Sequence, residues 1–476
     1  MAPAASGVLA SLWHVPRTSP DLELPALPPT SNPALSGWRT PIRAETTSPG
    51  PFGVAGALPP GLEGRLVLLG PNPVVVPDPS SYDARDGDGM LHALEIRDGA
   101  PVEQRSRLIV TRHLVELLGA RAPSGPLEAA GPVASRALVK LASRLVALDG
   151  EGLGYRVGVD LSTACVEDFD AMLATPMGTQ VVLDPASGDA WFLGIDPLGP
   201  PWLRLHRLSH QGIMLDTVEI EMPSWLVEPA LGLFHDRVVI AESSIASPVP
   251  RGDDDVIGAL RFDPAKPTRL GTLMHDDLEA DVSWATMEPG HVACIGATRH
   301  GPSGPTSFAL RSSPAQAADS GWWPPGDRGF LERLEIDAST RSVGVVRLDD
   351  LLLDSLRGDP LVHPEDRRFL YAVTALRAGD EGALLVKYDV SDGSAERQAI
   401  PDNLVVDEPQ FIRDPEGHSD EEGWVVVHAL DRSNDTSQLI VLDATGFGGR
   451  PTSVVTLPTR LPTGIRGLFL SPEEYR

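Results

Sequence analysis

The sequence predicts an all-β protein, either a β-propeller or a large sandwich. Short apolar runs recur at roughly ten- to fifteen-residue intervals from Asp160 onward, among them 180–183, 190–194, 233–241, 258–262, 367–374, 383–390, 423–430 and 438–443. Asp-Gly or Asp-x-x-Gly turns close many of them. The 46 Gly and 46 Pro are scattered rather than periodic, as many tight turns require. No strict internal repeat is legible, so spacing alone gives no blade count. A chain of 476 residues would usually divide into two or three domains, but closed β architectures of this length form one.

In chain order, residues 1–37 are rich in Pro, Ser and Ala and read as an extended arm, with 8–13 able to dock as a short apolar turn. The strand rhythm begins after Gly56-x-Leu58-Pro59-Pro60-x-Leu62-x-Gly64, with apolar runs at 65–70, 90–97 and 106–112. Segment 113–148 differs. Leu114, Leu117 and Leu118, then Leu138, Val139, Leu141 and Leu145, recur at helical spacing around a Pro/Gly break at 123–126. This spacing predicts two helices packed over one end of a β body, a patch with weak membrane affinity at most. The body, 38–476, is expected to be a single domain.

The formal charge of −27 disfavours nucleic acid and anionic membranes as partners. Two distant cysteines, Cys165 and Cys294, exclude a disulfide framework and a Cys-based zinc site. The start of the chain lacks the basic region of a signal peptide and no run approaches a membrane span, so a soluble cytoplasmic protein is expected.

Several motifs stand in a definite order. Gly70-Pro71-Asn72-Pro73 is followed by Asp86-Gly87-Asp88-Gly89-Met90-Leu91-His92 and by Ser106-Arg107-Leu108-Ile109-Val110-Thr111. Later come Arg261-Phe262-Asp263-Pro264, Asp407-Glu408-Pro409-Gln410-Phe411-Ile412, Asp420-Glu421-Glu422-Gly423-Trp424, and Leu461-Pro462-Thr463-Gly464-Ile465-Arg466-Gly467. Over about residues 38–476 the chain resembles the carotenoid cleavage oxygenase family. The resemblance implies a seven-bladed β-propeller whose axial cavity is capped by helices and loops, with 113–148 as the apolar lid or entry patch.

It also implies Fe(II) on four histidines oriented by glutamates, a ligand set suited to dioxygen activation. Matching the motifs puts Gln180 at the first histidine's position, before Asp184-Pro185-Ala186-Ser187-Gly188. Leu233-Phe234-His235-Asp236 keeps the second. Val282 falls at the third, with Trp284 and Glu288 beside it, and Arg466 at the fourth. Glu408 persists among the orienting glutamates, while two others fall near Gly150 and Gly358. Neither Val nor a guanidinium ligates iron, and a cation at the fourth position would repel it.

The sequence therefore leads to the expectation of no bound cofactor, with Fe(II) lost. It predicts that Gln180, His235, Val282 and Arg466 converge on the axis, and leaves two readings of Arg466: a permanent pair with a carboxylate, Glu408 first, or a fork with one face open to the ligand. On this reading Arg466 stabilises an enolate or carboxylate, His235 acts as acid or base, and Gln180 donates a hydrogen bond. An apolar polyene- or polyketide-like molecule would undergo isomerase, lyase or cyclase chemistry without metal. Two alternatives stand beside it: a non-catalytic ligand-binding pseudo-enzyme, and an iron-dependent dioxygenase cleaving a carotenoid-like or stilbene-like double bond. The remaining histidines are expected to be structural (His92) or at the surface (His206, His210, His275, His291, His300, His363, His418, His428).

Overall fold

The computed structural model describes residues 23–475 apart from 84–86, 119–122, 127–132, 197–198, 224–226, 247–260, 314–327 and 376–381. The expected arm at 1–22, Asp86 and the start of the run at 258–262 thus lie outside the described residues.

Antiparallel sheets dominate, each four or more strands wide except for one two-stranded ribbon, in a propeller-like arrangement. One strand of each wide sheet, and two of the eight-stranded one, meet the neighbouring sheets, and these are labelled in chain order: β1 Ala137–Leu141, β2 Val181–Leu183, β3 Ala230–Leu233, β4 His291–Gly301, β5 Leu353–Gly358, β6 Gln410–Arg413 and β7 Arg466–Leu470. Neighbours pack side by side: β2 against β3, then β3 against β4, β4 against β5, β5 against β6, β6 against β7, and β7 against β1. Both β3 and β4 belong to one eight-stranded sheet, as its two edges.

Burial on both faces explains why the central strands of the sheets read as apolar runs rather than alternating ones. Ala190–Ile195 and Gly423–Asp431 are buried at every position. Apolar clusters fill the gaps between adjoining sheets: Tyr371 and Phe411 stack with ring centroids 5.2 Å apart, and Leu193 packs with Leu233. The N-terminal strands close the ring. Gly64–Pro71 pairs with β7, and Gly53–Gly56 pairs with Ser453–Thr456. Residues 23–37 dock as well, with Glu23 bridged to Ala44 and Leu24 buried beside Val74 and Met90.

The helical reading of 113–148 is half right. Arg112–Leu118 is a helix, but Ala137–Leu141 and Arg144–Leu148 form a hairpin turning on Ala142, at φ 54°. Leu138 packs on one neighbouring cluster while Leu141 and Val146 pack on another, so burial of both faces hid the period of two. His206, expected to be exposed, is buried between Thr175 and Thr217 and stacks on Phe192. His291, His363 and His428 are buried too.

Candidate functional site

The motifs near the chain ends fasten together. Asn72 exchanges hydrogen bonds with Ile42 (2.6 and 2.9 Å), and Asp88 Oδ2 accepts from Val74 N at 2.8 Å. The segment before β7 is pinned from two sides. Asp407 accepts from Gly464 N at 2.7 Å and from His428 Nδ1 at 2.6 Å; Ser437 Oγ lies 3.1 Å from His428 Nε2 and accepts from Leu461 N at 2.8 Å. Gly467 follows because a Cβ there would stand 1.8 Å from Val67 O. These constraints set where Arg466 emerges.

One polar group gathers where β2, β4, β5, β6 and β7 approach each other. Gln180 Nε2 donates to Ala293 O at 3.4 Å. The next residue, Cys294, sits at a bulge of β4 and feels the charges of Arg357, Glu408 and Arg466. Burial pushes its thiol up to about 11, so it is held neutral. Arg357 Nε lies 2.8 Å from Glu408 Oε1, which also accepts from Gln410 Nε2 at 3.1 Å. Glu408 is 5% exposed in its side chain and Arg357 49%. Desolvation lowers the Arg466 pKa from the ordinary guanidinium value, opposed by the nearby Cys294.

Glu228 completes this group, and no motif announced it. Its carboxylate accepts from Gln180 N and Thr179 Oγ1, each at 2.7 Å, and a Cβ at Gly150 would come 3.4 Å from its Oε2. Burial raises its pKa, against the lowering effect of those hydrogen bonds. Glu228 therefore stands beside the position where the resemblance expects an orienting glutamate near Gly150.

His235 is elsewhere. It follows β3, whereas Glu228 precedes it, so about seven extended residues, roughly 20 Å, separate the two. The path along β4 agrees. Ala293 meets Gln180 near its start, and His300 near its end lies 3.6 Å from Asp236 and 3.4 Å from Glu365. There His235 Nε2 is 3.1 Å from Asp366 Oδ2, its ring stacks on His363 at 3.9 Å, and its backbone N–H donates to Glu365 at 2.7 Å. The Phe-His-Asp match falls one strand length from Gln180 and Arg466, and the structure does not bring His235 to them.

Val282 and Trp284 pack over Gly271 within a core cluster containing Leu273, where a Cβ on the glycine would meet Val282 at 2.5 Å and Trp284 at 2.8 Å. Arg269 lies 4.3 Å over the Trp284 ring. Glu288, 71% exposed, is 3.4 Å from Arg311. None of the three joins the polar group through a described interaction. Ala293 and Cys294, rather than Val282, stand beside Gln180 and Arg466.

The fit to iron differs between the two ends. The polar group offers no imidazole, and its two carboxylates are already engaged, Glu408 by Arg357 and Gln410 and Glu228 by Thr179 and the Gln180 backbone; beside two guanidiniums, an amide and a neutral thiol this does not suit an iron cation. His235, His363 and Asp366 do supply suitable donors, one from each residue, all within 4.8 Å of one another. Their rings lie only 15° from parallel, so one must turn before both lone pairs meet a single ion.

Comparison with known proteins agrees with the fold. The sequence model described as RPE65, retinal pigment epithelial membrane protein, matches residues 39–471. A carotenoid cleavage oxygenase of Mycobacterium tuberculosis is 26% identical over 501 residues, covering 92% of this chain and 97% of that protein. Lignostilbene dioxygenase of Pseudomonas brassicacearum superposes with TM-score 0.81 at 19% identity, covering 94% of this chain and 100% of that one. A variant of Synechocystis apocarotenoid oxygenase gives TM-score 0.76 at 19% identity, covering 90% and 96%. The chain belongs to the RPE65/carotenoid cleavage oxygenase family.

This corrects the expectation of no cofactor. The family consists of iron-dependent oxygenases, and the His235–His363–Asp366 group offers donors for a metal. The sequence reading treated His363 as a surface residue and so missed this group. Among the described residues no helix is long and apolar enough to cross a membrane.

Proposed function

We propose that this chain is an iron-dependent oxygenase that cleaves a conjugated double bond of an elongated apolar molecule, of the carotenoid-like or stilbene-like class. The observation that carries the reading is family membership across 39–471, supported by relatives named carotenoid cleavage oxygenase and lignostilbene dioxygenase. We also read the eight-stranded sheet as two blades, joined by the single parallel pairing Thr286–Ser342, which brings the propeller to seven blades.

His235, His363 and Asp366 are the residues that would hold the iron, which supplies dioxygen activation when bound. The reaction inserts one oxygen atom at each carbon of the double bond, so that C=C and O2 become two C=O groups. Glu365 fixes the backbone of His235 and donates its own N–H to His363 Nδ1 at 3.2 Å, which limits ring movement on both sides.

The test is aerobic incubation of the protein, loaded with Fe(II), with an apocarotenoid and a stilbene, reading paired carbonyl fragments by mass spectrometry. Fragments that disappear on Asp366→Asn together with the bound iron support the reading. Iron retained by that variant, or no fragments from either substrate, overturns it. A second reading, a protein that holds such a ligand without cleaving it, draws support from Gln180 and Arg466 at positions where the family resemblance places histidines.

A further inference from the structure

We propose that an internal water molecule binds at the seam where the propeller closes, held by His92 and Gln104. It completes a chain of hydrogen bonds that runs from Ser106, through these two side chains, to the closing segment at Thr459.

The argument begins with one face of the N-terminal sheet. Leu68 pairs opposite His92, Leu66 opposite Leu94, Ser106 opposite His92 and Gln104 opposite Leu94. Facing residues in a strand ladder point the same way, and so do residues two apart, so all of these side chains share one face. That face packs on the neighbouring six-stranded sheet through Leu439 and Val441. His92 and Gln104 are diagonal neighbours on it, near enough for one small molecule to reach both.

A cavity lies between the two sheets at this point. It leaves about 10 Å³ for the centre of a water molecule, which is room for one. Leucines form most of its wall, and the polar side chains there are His92, Gln104 and His428.

The hydrogen bonds show which of the three would hold a ligand. His92 is 1% exposed. Its Nδ1 lies 2.9 Å from Ser106 Oγ, and Ser106 is not part of the wall, so the opposite edge of the ring, which carries Nε2, faces the cavity. Nε2 has no hydrogen-bond partner among the described residues. A buried ring nitrogen left in that state carries its full desolvation cost. Gln104 is 1% exposed as well. Its Nε2 donates to Thr459 O at 2.9 Å and its Oε1 accepts from Thr459 N at 3.0 Å, and each amide atom has capacity for one more bond. His428 is already engaged, through Nδ1 with Asp407 at 2.6 Å and through Nε2 with Ser437 at 3.1 Å.

The chemistry of the wall selects water. Among the described residues lining the cavity there is no carboxylate to hold a cation and no Lys or Arg to hold an anion, and burial keeps His92 neutral. An apolar molecule would leave Nε2 unpaired. Water both donates and accepts, so it pairs with either tautomer of His92 and with either amide atom of Gln104.

The test is crystallography of the full chain and of His92→Phe at a resolution where ordered waters are visible, with water-17O relaxation dispersion counting long-lived waters in solution. The native crystal should show a density peak within about 3.2 Å of both His92 Nε2 and the Gln104 amide. In His92→Phe the peak should vanish, and the count of long-lived waters should fall by about one. A dry cavity in the native protein overturns the proposal, and so does a peak that reaches neither side chain. A peak and a water count that both survive His92→Phe overturn it too, because the ring nitrogen would then hold nothing. Should His92→Phe fail to fold, the native density alone decides.

Discussion

Replacing Arg357 with Met tests the electrostatic design of the polar group without invoking any ligand. Arg357 Nε is 2.8 Å from Glu408 Oε1, and the Glu408 side chain is 5% exposed. Removing the cation leaves that carboxylate with Gln410 Nε2 as its described donor. Breaking a fully buried pair costs about 3–5 kcal/mol. Water already reaches half of Arg357, which brings the expectation to about 2 kcal/mol. Glu408→Gln leaves an amide facing a cation and should cost about 1–2 kcal/mol. The double substitution removes both charges, so it should cost less than the sum, with a coupling of about 1 kcal/mol or more. Urea unfolding followed by circular dichroism measures all four corners of the cycle. Single costs that add to within about 0.5 kcal/mol would refute the reasoning, because two groups in contact would then be energetically independent.

Three further outcomes are expected. His92 and His206 are buried with pKa values lowered by desolvation to about 3 and about 4, so both are neutral in the native state. Their stabilisation is complete above the unfolded value near 6.5 and is lost as pH falls toward 4, at about 1.4 kcal/mol per pH unit for each group; urea midpoints that stay flat between pH 6.5 and 4.5 would contradict this. Gly467→Ala places a Cβ against Val67 O and should cost more than about 2 kcal/mol, read as a lowered unfolding midpoint. Asp407→Asn exchanges the acceptor shared by His428 and Gly464 for a weaker one, and should raise hydrogen exchange at Gly464 before it affects Gly423–Asp431.

Much of the architecture was legible because turns and apolar runs are local. Gly-Pro-Asn-Pro and Asp-Gly-Asp-Gly are fastening points, and their residues bond to each other and to neighbouring loops. Segment 137–148 was misread because apolar residues on both faces of a hairpin imitate a helical spacing. The site was harder to read. Gln180, Glu408 and Arg466 enter one polar group, and Cys294 links two of them electrostatically. His235 does not join them, since a two-residue match cannot say which end of a four-residue strand it occupies. Glu228 was invisible for a related reason: it matters through Thr179 and Gln180, nearly fifty residues earlier in the chain. His363 meets His235 only through the turn that stacks the two rings.

The pairing of β7 with Gly64–Pro71 has a consequence for how the protein is made. During synthesis the early strand emerges roughly four hundred residues before its partner, and until then it is an unsatisfied edge open to pairing with other chains. Arg466 is the first residue of that late partner, so the polar group is completed by one of the last events of folding. A chain ending before β7 would retain most of its hydrophobic core yet be prone to aggregate. Closure of the ring and completion of the polar group are in this way tied to the same five residues.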